Sequence, residues 1–120
     1  MIRVWDKVLT VPLIGTLDSP RTQLVMETLL QRVVDTQSRV VILDISGIPT
    51  IDTLVANHLI RTVTATRLLG AECIVTGVSS TVAQTLVHLG IDLSGITTRL
   101  SMSGGIATAF EILNLKVVSK

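Results

Sequence analysis

The clearest feature of the hydrophobic pattern is the segment Arg39–Ile45, which predicts a strand. Its uninterrupted apolar run ends at Asp44. Side chains on both faces of such a strand are nonpolar, as is typical of the centre of a parallel or mixed sheet. Shorter segments rich in β-branched residues predict further strands. They span residues 2–5, 8–14, 72–76 and, more weakly, 96–100. The pattern therefore predicts a sheet of four or five strands.

Apolar residues at helical spacing predict about four helices between and after these strands. They span residues 20–35, 53–69, 80–89 and a last segment from 103 or 104 to about 113. Ser19 and Ser79 have the side chains expected of N-caps, and Pro20 suits a first helical position. Gly70 follows the second helix, where a residue with positive φ commonly ends a helix.

Strands that alternate with helices indicate an α/β fold with right-handed crossovers, and residues 1–120 are expected to form one domain. Two strand-to-helix turns follow the strands that end near Asp44 and Thr76. Because parallel strands present their carboxyl ends at the same edge of a sheet, we expect both turns at that edge.

The composition narrows the possible functions of the chain. Its 120 residues suffice for a hydrophobic core, and a 48% hydrophobic and 16% charged composition excludes a disordered chain. The net charge is +1 and aromatic residues make up 2%, which argues against nucleic-acid binding. The sequence has neither an apolar run long enough to span a membrane nor a signal-peptide pattern. With its single cysteine, Cys73, the chain is expected in the reducing cytoplasm.

Residues with familiar catalytic or metal-binding chemistry do not form a recognisable motif. His58 and His88 fall on predicted helices without a second ligand at suitable spacing, and Cys73 lies in a predicted strand. The sequence also has no glycine-rich phosphate loop and no nucleophile elbow. We therefore expect no metal, no cofactor and no catalysis by this chain.

Hydroxyl groups at helix starts are the remaining candidates. Thr53 directly follows Asp52, and two interpretations stay open from spacing alone. In one, Asp52 is an N-cap and Thr53 an ordinary residue of the first turn. In the other, Thr53 is a phosphorylation site, because a phosphate is favoured at the positive end of the helix dipole. Thr85, in the middle of the third helix, is expected only to bond to a carbonyl one turn earlier.

The segments LDISGIPTIDTLVANHLI and GAECIVTGVSSTVAQTLVHLGIDL closely resemble the STAS domain, the fold of bacterial anti-anti-sigma factors and of sulfate-transporter tails. The preceding TVPLIGTLDSPRTQLVMETLL is similar to the opening of the RsbR-type branch. The resemblance runs from about Thr10 to Leu113. It implies a STAS fold, with a mixed, mostly parallel sheet and about four helices.

The resemblance also implies a function that spacing alone does not establish. By position, Thr53 would be phosphorylated by an RsbT-like serine/threonine kinase, with Thr85 as a second acceptor. The domain would be a non-enzymatic scaffold in stress signalling that joins an RsbS-like STAS protein in a stressosome, capturing the kinase and releasing it on stress. Residues expected at the partner-docking face are Asp18, Ser19, Asp52 and Ser79.

Two departures from the RsbR-type pattern affect this interpretation. The chain begins at Met1 with no N-terminal sensor domain ahead of the STAS core, which indicates either a stand-alone paralogue or a shortened chain. Relatives commonly have proline where this chain has Ser80. An alternative function remains a small-ligand or nucleotide-binding module, because hydroxyls and glycines at helix starts suit anions.

Overall fold

A computed structural model describes residues 2–5, 7–14, 19–90, 96–99 and 102–113. Its elements follow the order β1 (Ile2–Trp5), β2 (Val8–Ile14), α1 (Ser19–Thr36), β3 (Val40–Gly47), α2 (Thr53–Leu68), β4 (Glu72–Thr76), α3 (Ser80–His88), β5 (Thr97–Arg99) and α4 (Met102–Ile112). The predicted α/β class, with a mostly parallel sheet and four helices, is confirmed.

The strands lie in the sheet in the same order as in the sequence, from β1 to β5. β1 pairs with β2 antiparallel, and every later pair is parallel. Right-handed crossovers between successive parallel neighbours bring the connecting helices to one face of the sheet. That face is covered by α1, α2 and α3, whereas α4 covers the other.

Successive side chains of β3 belong to two separate hydrophobic cores. Val41, Leu43 and Ile45 pack in the larger core with residues of α1 and α2. Val40 and Ile42 pack in the smaller core, which includes Ala109 of α4. Burying one such aliphatic side chain contributes about 1.5–3 kcal/mol to stability, so both faces of β3 hold the sheet to its helices. The prediction of a strand that is apolar on both faces is confirmed.

Element ends agree with the sequence prediction to within one or two residues. Gly70 follows α2 with φ of +90°, and Ser79 is the N-cap of α3. α1 begins at Ser19, one residue before the predicted start. Asp18 and the side chain of Ser19 lie outside the described residues, so their predicted roles stay predictions. Among the helices in the described ranges, none has the length and hydropathy needed to cross a membrane.

Candidate functional site

The turns that follow β3 and β4 meet at the carboxyl edge of the sheet, as the sequence predicts. Gly77 lies against the backbone of Ser46, with φ of +75°. A Cβ atom at position 77 would lie 2.5 Å from the Cβ and 2.7 Å from the Cα of Ser46. Both the positive φ and this close approach require glycine, because an L side chain is strained in that conformation and has no space here.

The hydroxyl group of Ser79 joins the same two turns. Its oxygen accepts a hydrogen bond from the backbone N–H of Val82 at 3.1 Å, which caps α3. The hydroxyl also donates to the carbonyl oxygen of Pro49 at 3.2 Å. The predicted N-cap is confirmed, and it connects the start of α3 to the loop that leads into α2.

Asp52 and Thr53 form the start of α2. The carboxylate of Asp52 accepts a hydrogen bond from the N–H of Val55 at 2.7 Å, and its carbonyl oxygen accepts from the N–H of Ala56 at 3.0 Å. Asp52 is therefore the N-cap, as one interpretation of the sequence held. Thr53 occupies the first helical position and is exposed to solvent, next to Leu54, which is 54% exposed. Capping by Asp52 thus leaves the threonine accessible.

The start of α2 has backbone donors directed out of the helix. The first N–H groups of any helix have no acceptor within it, and the Asp52 carboxylate satisfies the one at Val55. The N–H groups of Thr53 and Leu54 remain without an intrahelical acceptor, at the positive end of the helix dipole. An anion attached to the Thr53 side chain would lie near these donors but also near the Asp52 carboxylate.

Thr85 is in a different environment from Thr53. Its hydroxyl donates to the carbonyl oxygen of Thr81 at 3.1 Å, as expected for a threonine within a helix, and its side chain is partly buried. At a rise of about 1.5 Å per residue, Thr85 is roughly 9 Å along the helix axis from Ser79. The structure therefore places Ser79 at the junction of the two turns, and Thr85 farther along α3.

Asp44 is a further residue of this edge that the sequence analysis did not select. Its two carboxylate oxygens accept hydrogen bonds from the hydroxyls of Thr76 and Ser46, each at 3.0 Å. Asp44, in the second half of β3, is paired in register with Thr76, the last residue of β4. A polar residue directly after the apolar run of each of two strands is the sequence signal that could have identified this contact.

The cysteine and the two histidines considered in the sequence do not form a reactive centre. Burial, and next the nearby charge of Glu72, raise the pKa of the Cys73 thiol to about 12, so it stays protonated at neutral pH. His58 lies on α2 and His88 on α3. Within the described part of the chain, no cluster of three or more histidine, cysteine, aspartate or glutamate residues could hold a metal ion.

Residues 1–103 match the sequence pattern of the STAS domain family. The chain belongs to this family. This STAS domain is 44% identical over 119 residues to the RsbT co-antagonist protein RsbRA of Bacillus subtilis (strain 168), covering 99% of this chain and 43% of that protein. It is 35% identical over 104 residues to RsbRD of the same organism, covering 87% of this chain and 37% of that protein. It thus spans about two-fifths of the length of these relatives.

Solved structures support the same relationship. An RsbS variant from Moorella thermoacetica superimposes with a TM-score of 0.83 at 28% identity, over 95% of this chain and 96% of that chain. A chain from a structure of the molecular architecture of the stressosome, described as a signal integration and transduction hub, superimposes with a TM-score of 0.80 at 27% identity. The match covers 95% of this chain and 98% of that chain. The STAS domain of a SulP transporter from Vibrio cholerae superimposes with a TM-score of 0.72 at 17% identity. At this identity the match shows a shared fold alone. The resemblance to RsbR and RsbS proteins is confirmed.

Proposed function

We propose that this STAS domain is a non-enzymatic scaffold of a bacterial stressosome, controlled by phosphorylation of Thr53. An RsbT-like serine/threonine kinase would supply ATP and the chemistry, and the domain would supply the acceptor hydroxyl. Together with an RsbS-like STAS protein, the domain would hold the kinase and release it under stress. Support comes from the similarity to RsbRA, a protein described as an RsbT co-antagonist, and to RsbS.

The exposed position of Thr53 at the start of α2 is the observation that carries the proposal. A kinase must reach the hydroxyl without unfolding the domain, and the capping bond from the Val55 N–H to the Asp52 carboxylate orders the helix without using Thr53. The hydroxyl is thus presented on a fixed helix end rather than on an irregular loop.

Phosphorylation of Thr53 is expected to change partner binding more than the stability of the fold. A phosphate adds about 1.5–2 negative charges at neutral pH. The helix dipole favours a negative charge by about 0.3–1 kcal/mol, while a like charge at 4 Å in water costs roughly 1 kcal/mol. Because the dipole and the Asp52 carboxylate act in opposite directions with similar size, the main consequence is a more negative surface at the start of α2.

The proposed docking face includes Asp52 and Ser79, with Asp18 and Ser19 as further predicted members. The hydrogen bond from Ser79 to the Pro49 carbonyl holds the starts of α2 and α3 as one surface. A partner that binds there would contact the region that phosphorylation of Thr53 alters.

The test is to incubate the domain with ATP, the RsbT-like kinase and the RsbS-like STAS protein of the same organism, and to map phosphate by mass spectrometry. We expect label on Thr53 and its loss in Thr53→Ala. Thr81→Ala is a matched control, because Thr81 is also an exposed threonine in the first turn of a helix. Absence of phosphate from Thr53, with full labelling of Thr53→Ala, would contradict the proposal.

Thr85 is proposed as a second, slower phosphorylation site. Its hydroxyl is partly buried and already donates to the Thr81 carbonyl, so transfer to it requires that this bond break. In a time course we expect phosphate on Thr53 before Thr85. Faster labelling of Thr85 in the folded domain would contradict this order.

Assembly is a separate test of the scaffold role. Size-exclusion chromatography with light scattering should show a large complex when the domain is mixed with the RsbS-like protein. A domain that stays monomeric with every STAS partner would remove the basis for a scaffold, whatever the result of the labelling experiment.

A further inference from the structure

An apolar cavity of about 240 Å³ lies between the sheet and the helices α2 and α3. β3 and β4 contribute aliphatic side chains such as Leu43 and Val75 to its floor. α2 contributes Ile60 and Val63, and α3 contributes Leu86. Among the described residues the cavity is partly open to the surface, so a small molecule can enter it without unfolding the domain.

α3 buries little of its surface beside the cavity. Val82 is its only fully buried residue within the described chain, and Leu86 packs against the larger core while remaining partly exposed. α3 has nine residues, and its start is fixed by the Ser79 cap and the bond to Pro49. The start of α3 is therefore held to the neighbouring loop, while Leu86 in its second half borders the cavity.

The chemistry of the walls defines what the cavity can hold. Thr98 is the single polar residue among the described lining residues, and the others are aliphatic. A buried water needs two to four polar partners, and apolar cavities of roughly 150 Å³ have been found to stay dry and to bind benzene. A nucleotide or another charged ligand would lose its hydration without gaining partners. The walls suit an uncharged, hydrocarbon-like molecule.

We infer that this cavity is a binding site for a small, uncharged, hydrocarbon-like molecule of about six to ten carbon atoms. Such a ligand would restore the contacts that the lining side chains now lack. It would contact α2, which begins at Thr53, and α3, in which Leu86 follows Thr85. Binding itself depends on neither threonine being phosphorylated, so failure of this inference would leave the proposed function untouched, and the reverse also holds.

The direct test is a titration of the full chain with toluene and with naphthalene, followed by ¹³C-methyl NMR. We expect saturable, one-to-one shifts of the methyl groups of Val63, Val75 and Leu86. The methyl groups of Leu29 and Ile48, which are buried in the same core but do not line the cavity, should not shift. Benzoate, a charged molecule of similar size, should not bind.

Cavity-filling variants locate the site. Ile60→Phe places a larger side chain into the cavity and should weaken toluene binding by at least about tenfold, with Leu86→Phe as a second variant should Ile60→Phe not fold. Val87→Phe is the matched control, because Val87 neighbours Leu86 on α3 but is 70% exposed. The inference is wrong if no saturable shift occurs up to the solubility limit of toluene, or if a folded, filled variant binds as tightly as the wild type.

Discussion

Replacement of Gly77 by alanine tests the contact that joins the two turns at the carboxyl edge. A residue with a Cβ in the left-handed region costs roughly 1–2 kcal/mol. In addition, the new Cβ would lie 2.5 Å from the Cβ of Ser46 and 2.8 Å from its backbone nitrogen, so backbone atoms must move. Such overpacking typically costs about 1–3 kcal/mol more. We therefore expect Gly77→Ala to lower the free energy of unfolding by about 2–5 kcal/mol.

Gly90→Ala is the control that separates the two contributions. Gly90 has φ of +64°, similar to that of Gly77, but among the described residues no heavy atom would lie within 4 Å of a Cβ there. Its replacement should cost only the conformational part, about 1–2 kcal/mol. The assay is urea unfolding followed by circular dichroism. Equal destabilisation by Gly77→Ala and Gly90→Ala would refute the argument that the approach to Ser46 matters.

Three further predictions concern the same edge and the core. Asp52→Ala should lose about 1 kcal/mol of stability in urea unfolding, because the N–H of Val55 loses its cap, whereas Asp52→Asn should lose less; equal losses would contradict this. Asp44→Ala should lower the free energy of unfolding by about 1–3 kcal/mol, because the buried Thr76 hydroxyl loses its acceptor. Asp44→Asn should lower it less, because the amide oxygen can still accept that bond. An Asp44→Ala variant as stable as the wild type would be evidence against the contact. The Cys73 thiol should resist iodoacetamide in the folded protein, and labelling at the rate of a free thiol would contradict its burial.

The raised pKa of Cys73 also gives stability a defined pH dependence. The thiol titrates near 9.0 in a free environment and near 12 in the folded protein. Because the folded state holds the proton more tightly, this contribution to stability is fully present below about pH 9 and is lost as the pH rises towards 12. Over this pH range, the free energies of unfolding of the wild type and of Cys73→Ala, measured with urea, should diverge. A constant difference between the two would contradict the raised pKa of Cys73.

Local features of the fold could be predicted because their causes are local. The apolar run of β3, the cap at Ser79 and the glycine after α2 each depend on residues within a few positions of one another. The proposed phosphorylation of Thr53 does not have such a cause. Its place at the start of α2 follows from the sequence pattern, but its expected modification came from the family resemblance.

Contacts between distant segments could not be predicted from periodicity. The bond from Ser79 to Pro49 joins residues 30 positions apart, and the bond from Thr76 to Asp44 joins residues 32 apart. The approach of Gly77 to Ser46 likewise depends on the parallel pairing of β3 with β4. The cavity beside α3 was also not anticipated, because its walls come from several separate strands and helices.

The agreement between strand order in the sheet and strand order in the sequence has a consequence for how the domain forms. Val8 pairs with Val40, Val40 with Glu72, and Ile74 with Thr97, so these parallel partners are 23 to 32 residues apart. As the chain leaves the ribosome, each new strand can add to the edge of strands already made, and none has to insert between two earlier ones. Each closure therefore spans fewer residues than pairing between strands at opposite ends of the chain would, which lowers its entropic cost.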